Sequence, residues 1–210
     1  CNSLIATGRD VLSGGVAATP TTGLLVRHHG CSGGIQVSAS HNPSEYNGMK
    51  LFSSDGRVLN ATAGERVAQR YHNGQIETAG APTAGRSSVQ HGHQLHAERV
   101  LKIIDGDRIR QRQFKILLDA NRGAGSLVGQ YLLDQLGCDV TVLGGTPDGQ
   151  FEHPPEPTAE NLSAVSQQVV RVGADVGFCQ DPDADRLAIV SIGPEAPRLP
   201  QGGKNETQGQ

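Results

Sequence analysis

Past residue 93 the chain alternates between short apolar runs and longer amphipathic ones, and this alternation limits the fold more than any other feature of the sequence. The pattern predicts a helix over 96–104, a strand over 114–119, a helix over 126–136 and a strand over 139–143. A helix over 159–172 and strands over 175–179 and 187–192 complete it. Strands separated by helices cannot close as hairpins, so they imply a mainly parallel α/β sheet with right-handed crossovers. The first part of the chain is more broken. Leu4 to Thr7, the stop at Gly8 and the pair Val11-Leu12 read as a helix end turning into a strand, as though the chain entered a domain part-way. Hydroxyls at Thr19, Thr21 and Thr22 precede a short helix over 23–27 that ends at His28-His29-Gly30. A buried strand follows over 33–39, then a strand pair, 49–52 with 58–59, around the turn Asp55-Gly56. From 78 to 92 large apolar residues nearly vanish, as in a connector. The reading is α/β, with two mixed, mainly parallel sheet domains, 1–80 and 93–192, the first incomplete at its N-terminus. The stretch 193–210 loses all periodicity and is expected to be a disordered tail.

Composition narrows the class of function. The 210 residues carry 18 basic and 21 acidic side chains, a net charge of -3, so no polyanion-binding footprint is present. With three Tyr, four Phe and no Trp, stacking platforms for single-stranded nucleic acid are scarce. The 28 glycines and 11 prolines indicate many turns without reaching low-complexity levels. No apolar run approaches the ~20 residues of a membrane span. Cys1, Cys31, Cys138 and Cys179 lie far apart, with no CxxC pair, and read as free thiols of a cytoplasmic protein.

Two stretches carry chemistry. Asp181-Pro182-Asp183-Ala184-Asp185-Arg186 follows a strand, and Pro182 keeps the segment from being helical. Carboxylates at every second residue of an extended loop converge on one hard cation, for which Mg²⁺ fits. An EF-hand is excluded, because its glycine and its closing glutamate would fall at Arg186 and Ile192. The second stretch, Ser38-Ala39-Ser40-His41-Asn42-Pro43-Ser44-Glu45-Tyr46-Asn47-Gly48-Met49-Lys50, packs hydroxyls, amides, an imidazole and an amine onto a loop. It lacks the G-x-S-x-G elbow of a hydrolase. Taken alone it could be a polar turn; paired with a cation loop it offers the nucleophile and positive side chain that phosphoryl transfer needs.

Ser40-His41-Asn42-Pro43 with Asn47-Gly48 and Lys50, followed far downstream by the Asp181–Arg186 loop, resembles the α-D-phosphohexomutase family. Asp148-Gly149-Gln150-Phe151 and Glu156-Pro157-Thr158-Ala159-Glu160-Asn161 also look like that family's second domain. The family comprises phosphoglucomutases, phosphomannomutases and phosphoglucosamine mutases. The resemblance implies an intramolecular phosphotransferase that exchanges hexose 6-phosphate and hexose 1-phosphate through a phosphoserine and a 1,6-bisphosphate. Ser40 would bear the phosphoryl group; Asp181, Asp183 and Asp185, with an oxygen of that phosphate, would bind Mg²⁺. Lys50 would be the acid/base or charge-stabilising lysine, with His41, Asn42, Asn47 and Arg186 orienting and neutralising the phosphate. The family's third and fourth domains, which select the sugar and grip the second phosphate, lie outside these residues, so the chain alone is expected to lack full activity and leaves the hexose open. Pro182 and Ala184 stand where the family commonly has glycines. Two other readings compete: a phosphatase-like enzyme with Asp181 as nucleophile, and an inactive metal- or sugar-phosphate-binding module.

Asn121-Arg122-Gly123-Ala124-Gly125, at a strand-to-helix turn, could bind phosphate but reads better as tight packing. His91, His93 and His96 read as an exposed, unliganded run.

Overall fold

In the computed structural model, residues 1–43, 45–74, 87–89 and 91–193 are described. The tail from 194 and most of the connector, including 75–86, lie outside the described residues.

The second half follows the alternation. Helices α4 (Gly92–Leu101) and α5 (Gly106–Arg112) lead into β5 (Lys115–Asp119), then α6 (Gly125–Gln135), β6 (Asp139–Leu143), α7 (Ser163–Arg171), β7 (Val176–Gln180) and β8 (Leu187–Ser191). The strands order as β6-β5-β7-β8. β5 runs parallel to both β6 and β7, with Leu117 opposite Thr141 on one side and Gly177 on the other. β8 runs antiparallel to β7, Phe178 facing Ile189. Only the aspartate loop joins β7 to β8, which is too short for the crossover that a parallel pair needs.

β5 is buried because it is central, and its consecutive leucines serve opposite faces. Leu117, wholly buried, packs with Leu162, Val165 and Val169 around α7 and with Ala174 and Cys179. Leu118 meets α6 so closely that a Cβ on Gly129 would lie 3.0 Å from it. α5 has no counterpart among the expected elements, and α7 begins four residues later than the periodicity indicates.

The first half holds α1 (Asn2–Ala6), β1 (Val11–Ser13), α2 (Thr19–His28), β2 (Gly33–Val37), β3 (Met49–Ser53), α3 (Ala61–His72) and β4 (Ser87–Val89). Among the described residues two two-stranded sheets result, β1 parallel to β4 and β2 antiparallel to β3. β4 therefore pairs within the stretch expected to be a bare connector. β2 was expected to be buried, but Ile35 and Val37 are 44% and 62% exposed. Its inward face is that of Gly34, where a Cβ would stand 2.6 Å from Val26 of α2. The Asp55-Gly56 turn forms, yet the returning segment makes a single bridge, Phe52 to Val58, and β3 takes β2 as its main partner.

α2 starts at Thr19 with Pro20 in its first turn, and its N-cap residue is Ala18 without a side-chain cap. The threonine hydroxyls thus do not cap their own helix. α4 packs against both α2 and α6 and so links the two halves. Gly92 permits this approach, since a Cβ there would lie 2.6 Å from Thr21 and 2.9 Å from Leu25. His96, expected to be exposed, is partly buried at this contact, its Nδ1 2.8 Å from the Thr21 hydroxyl. Desolvation there lowers its pKa.

Candidate active site

The end of β7 delivers Asp181 into the interior, 0% exposed. Both of its oxygens hold the loop together. Oδ1 accepts from the backbone N–H groups of Asp185 at 3.1 Å and Arg186 at 3.0 Å, and Oδ2 accepts from the Arg186 Nε at 3.3 Å. Pro182 and Ala184 shape the turn between these anchors, and Ala184 adopts φ +52°, a left-handed conformation that a glycine would enter more easily. The turn also leans on the β5–α6 connection: the Ala124 N–H donates to the Pro182 carbonyl at 2.7 Å. A Cβ on Gly123 would lie 2.6 Å from that same oxygen. Asn121 and Arg122 both have positive φ in this connection. The Asn121 side chain, fully buried, bonds the backbone of Glu152 and His153. Tight packing is what this turn does.

The carboxylates of Asp181, Asp183 and Asp185 each bring an oxygen within 4.8 Å of the others, so the three could hold a metal ion. Asp183 is 2% exposed, and its Oδ1 is buried without a hydrogen-bond partner among the described residues. A buried carboxylate oxygen left unpartnered is costly unless something positive meets it. Oxygen donors alone suit a hard divalent cation, and Asp183 Oδ1 is the oxygen left with its lone pairs unused.

The serine loop reaches this cluster from the other half of the chain. β2 ends at Val37, and the Ser38 hydroxyl accepts from the Ser40 N–H at 2.8 Å, holding Ser40 at φ +53°. A non-glycine residue in this region is uncommon and here turns its hydroxyl toward the aspartates. Ser40 Oγ donates to Asp181 Oδ2 at 3.3 Å and accepts from Arg186 Nη2 at 3.3 Å, with His41 Nδ1 3.5 Å away. Lys50, on β3, donates from Nζ to Asp183 Oδ2 at 2.6 Å and to Asp185 Oδ2 at 2.5 Å. Asn42 donates to the Ala39 carbonyl and Asn47 accepts from the Gly48 N–H, so both close the loop on itself rather than reach the carboxylates.

Burial pushes the Asp181 carboxyl up to about 6, against the opposing pull of the backbone N–H of Arg186. Burial acts on Asp183 in the same sense, but hydrogen bonds from Lys50 and Thr19 outweigh it and hold its pKa below the usual carboxylate value. Desolvation would lower Lys50, and its two aspartate partners overcome that and raise it.

Two sequence profiles fit the chain. Phosphoglucomutase/phosphomannomutase alpha/beta/alpha domain I matches residues 1–77, and alpha/beta/alpha domain II of the same family matches 94–192. The chain belongs to the phosphoglucomutase/phosphomannomutase family. A phosphoglucomutase/phosphomannomutase of Thermococcus kodakarensis is 35% identical over 97% of this chain and 44% of its own length. A chain named a probable phosphoglucosamine mutase, from Methanosarcina acetivorans, is 36% identical over 89% and 42%. Among solved structures, a phosphoglucomutase/phosphomannomutase family protein of Burkholderia thailandensis superposes with a TM-score of 0.74 at 27% identity, over 90% of this chain and 41% of that one. The exocytosis-sensitive phosphoprotein parafusin, a phosphoglucomutase of Paramecium in an open form, shares the fold with a TM-score of 0.72 at 19% identity, over 86% and 40%. The chain thus spans less than half the length of the curated relatives it matches.

Within this family fold, the expected site residues Ser40, His41, Lys50, Arg186 and the three aspartates come together from the two halves. Sequence reading missed Thr19, whose hydroxyl donates to Asp183 Oδ2 at 2.5 Å and whose N–H donates to the Asp183 carbonyl at 2.8 Å. It also missed the buried Asp119, which ends β5 and binds His153 Nε2 at 2.8 Å. Asp119 looks like the last residue of an apolar strand, and only its pairing beside Cys179 of β7 reveals how close it lies to the aspartate loop.

Proposed function

We propose that this chain carries the phosphoserine and metal-binding parts of an intramolecular phosphotransferase acting on hexose phosphates, of the glucose, mannose or glucosamine type. The observation that carries the reading is the meeting of Ser40 Oγ with Asp181 and Arg186, at 3.3 Å each, across 141 and 146 residues of sequence. A hydroxyl with no chemical role has little reason to sit in a left-handed turn facing a carboxylate cluster.

In the proposed reaction phosphorylated Ser40 faces a hexose phosphate. The O–P bond to the sugar hydroxyl forms as the Ser40 O–P bond breaks; the sugar hydroxyl loses a proton and Ser40 Oγ gains one, giving a hexose 1,6-bisphosphate. Return of the other phosphoryl group to Ser40 completes the isomerisation. Arg186, already bonded to Ser40 Oγ, neutralises the phosphoryl oxygens, and His41 flanks them. Lys50, held as a cation by its aspartates, adds charge stabilisation. Asp181, Asp183 and Asp185 would hold Mg²⁺, which when bound offsets the negative charge of the serine phosphate and polarises its oxygens. Asn42 and Asn47 shape the loop through their bonds to Ala39 and Gly48, and a role in holding the phosphate rests on the family resemblance alone. The competing aspartyl-phosphate reading at Asp181 is told apart by the chemistry of the product, because hydroxylamine cleaves an acyl phosphate and leaves a serine phosphate intact. Four free cysteines fit a reducing compartment, the cytoplasm.

Incubation of the chain with glucose 1,6-bisphosphate and Mg²⁺ tests this. The expected result is one acid-stable, hydroxylamine-resistant phosphate mapped to Ser40 by mass spectrometry, absent from Ser40→Ala. Equal labelling of Ser40→Ala, or a label that hydroxylamine removes, refutes the assignment. The 210-residue chain, whose match covers 44% of the length of its Thermococcus kodakarensis relative, is expected to accept the phosphate but to turn over little in a coupled mutase assay.

A further inference from the structure

Asp183 differs from the other two aspartates in how its oxygens are divided. Oδ2 accepts two strong donors, the Thr19 hydroxyl at 2.5 Å and the Lys50 ammonium at 2.6 Å. Oδ1 is buried and accepts none. The carboxylate is therefore fixed in one rotation, with one oxygen consumed by the first half of the chain and the other left for a cation. Thr19 is itself 5% exposed, and its backbone N–H, which as a first-turn amide of α2 has no partner within the helix, donates to the Asp183 carbonyl at 2.8 Å. One residue thus grips Asp183 at its main chain and its side chain together, across 164 residues of sequence. Lys50 can leave Asp183, because its stem is flexible and it has a second partner in Asp185. Thr19 cannot, because its hydroxyl hangs from the first turn of a helix that packs on β2 and α4.

We infer that Thr19 is a positioning residue for the cation site, turning Asp183 so that Oδ1 faces the metal and locking α2 of the first domain to the aspartate loop of the second. The inference rests on the reading of the three aspartates as metal ligands. Groups that orient a metal ligand from behind typically change metal affinity by about 10–100-fold when removed.

The test is Mn²⁺ binding to the full 210-residue chain, by calorimetry and by the electron paramagnetic resonance signal of free Mn²⁺, for the parent, Thr19→Val and Thr19→Ser. Valine keeps the shape and removes the donor; serine keeps the donor. The expected result is a loss of about 10–100-fold in affinity for Thr19→Val and recovery to within about threefold of the parent for Thr19→Ser. Phosphorylation of Ser40 from glucose 1,6-bisphosphate by Thr19→Val should be restored by raising Mg²⁺, a rescue that a merely structural lesion would not show. If the buried valine prevents folding, Thr19→Ala reads the same quantity. Unchanged Mn²⁺ affinity in a folded Thr19→Val or Thr19→Ala, or a Thr19→Ser as weak as valine, overturns the inference while leaving the metal site standing. A parent chain that binds no Mn²⁺, or binds it equally well as Asp181→Asn/Asp183→Asn, overturns the metal reading and this inference with it.

Discussion

Replacement of Lys50 by methionine separates the structural from the electrostatic work of the cluster. The lysine lies 2.6 Å from Asp183 and 2.5 Å from Asp185, with side-chain exposures of 24%, 3% and 34% respectively. Removing one member of a buried ion pair costs about 3–5 kcal/mol because the other charge is left uncompensated, whereas an exposed pair is worth roughly 0–1 kcal/mol. The Asp183 contact belongs to the first kind and the Asp185 contact to the second. The Thr19 hydroxyl still serves Asp183 after substitution, so the expected loss is about 2–3 kcal/mol. For a chain of this size that corresponds to a fall in Tm of roughly 4–12 °C in EDTA. A divalent cation supplies the missing positive charge to the same carboxylates, and a ligand at about 100 times its Kd stabilises by about 2.7 kcal/mol. Lys50→Met no longer has an ammonium competing for Asp183 and Asp185, so it should gain more from Mg²⁺ than the parent does. Differential scanning calorimetry in EDTA and in saturating Mg²⁺ is the assay, and the gap between parent and variant should shrink by at least half. A gap that is the same in both buffers refutes the idea that lysine and cation act on one set of carboxylates.

Other consequences follow from neighbouring packing. Gly123→Val would drive a side chain into the Pro182 backbone, which lies 2.6–2.7 Å from the Cβ position. Overpacking of this kind costs about 1–3 kcal/mol, and because Pro182 belongs to the aspartate loop, Mn²⁺ affinity should fall in parallel; a stable variant with parental affinity would contradict the contact. Ala184→Gly relieves a φ of +52°, a conformation costing about 1–2 kcal/mol for alanine, offset by about 0.4–1 kcal/mol of unfolded-state entropy. A small rise in Tm is expected in EDTA, and a fall would show that the alanine methyl, packed on Gly125, matters more than the strain. His153 donates to Asp119, and that bond raises its pKa above 6.5 despite partial burial, with Glu152 and the Pro154 carbonyl adding to it. A raised histidine stabilises fully below its unfolded pKa, and the contribution disappears as pH climbs through the folded value. Thermal melts from pH 6 upward should therefore show a loss of stability that His153→Gln lacks, and identical slopes would count against it.

Much of this architecture was legible because period and punctuation agreed. β6 runs over the residues the alternation indicates, α2 ends at His28, and the strand before the aspartates lies within a residue of its expected limits. The failures have specific physical causes. β2 looks buried by composition, but it packs on α2 through the face of Gly34, so Ile35 and Val37 on the opposite face stay exposed. β8 looks like one more parallel strand, and only the shortness of the loop before it decides its direction. The site divides similarly. Ser40, Lys50 and the aspartates announce themselves by residue type and spacing, whereas Thr19 does not, because a threonine before a helix reads as a cap. Its use as a donor to a residue of the other half is a property of the docked domains.

The charge balance of the assembled cluster explains why these particular groups are gathered. Three carboxylates against Lys50 and Arg186 leave the site with one net negative charge, most of it buried. Phosphorylation of Ser40 would add a further charge of about −1.5 to −2 beside Asp181. Two positive side chains cannot offset that beside the buried Asp181 and Asp183, where like charges repel more strongly than in water. A divalent cation returns the site to roughly its starting charge. The buried Oδ1 of Asp183, without a partner among the described residues, is the feature of a cluster short of positive charge; burial first, and the neighbouring aspartates second, push the Asp181 carboxyl up beside it. On this argument the serine phosphate and the cation are mutually dependent: phosphorylated Ser40 should raise the affinity for Mg²⁺, and by linkage Mg²⁺ should raise by the same factor the equilibrium yield of phosphoserine from a bisphosphate donor. Titration of Mn²⁺ into phosphorylated and unphosphorylated chain checks it directly, and equal affinities would mean that the phosphate oxygen contributes nothing to the cation site.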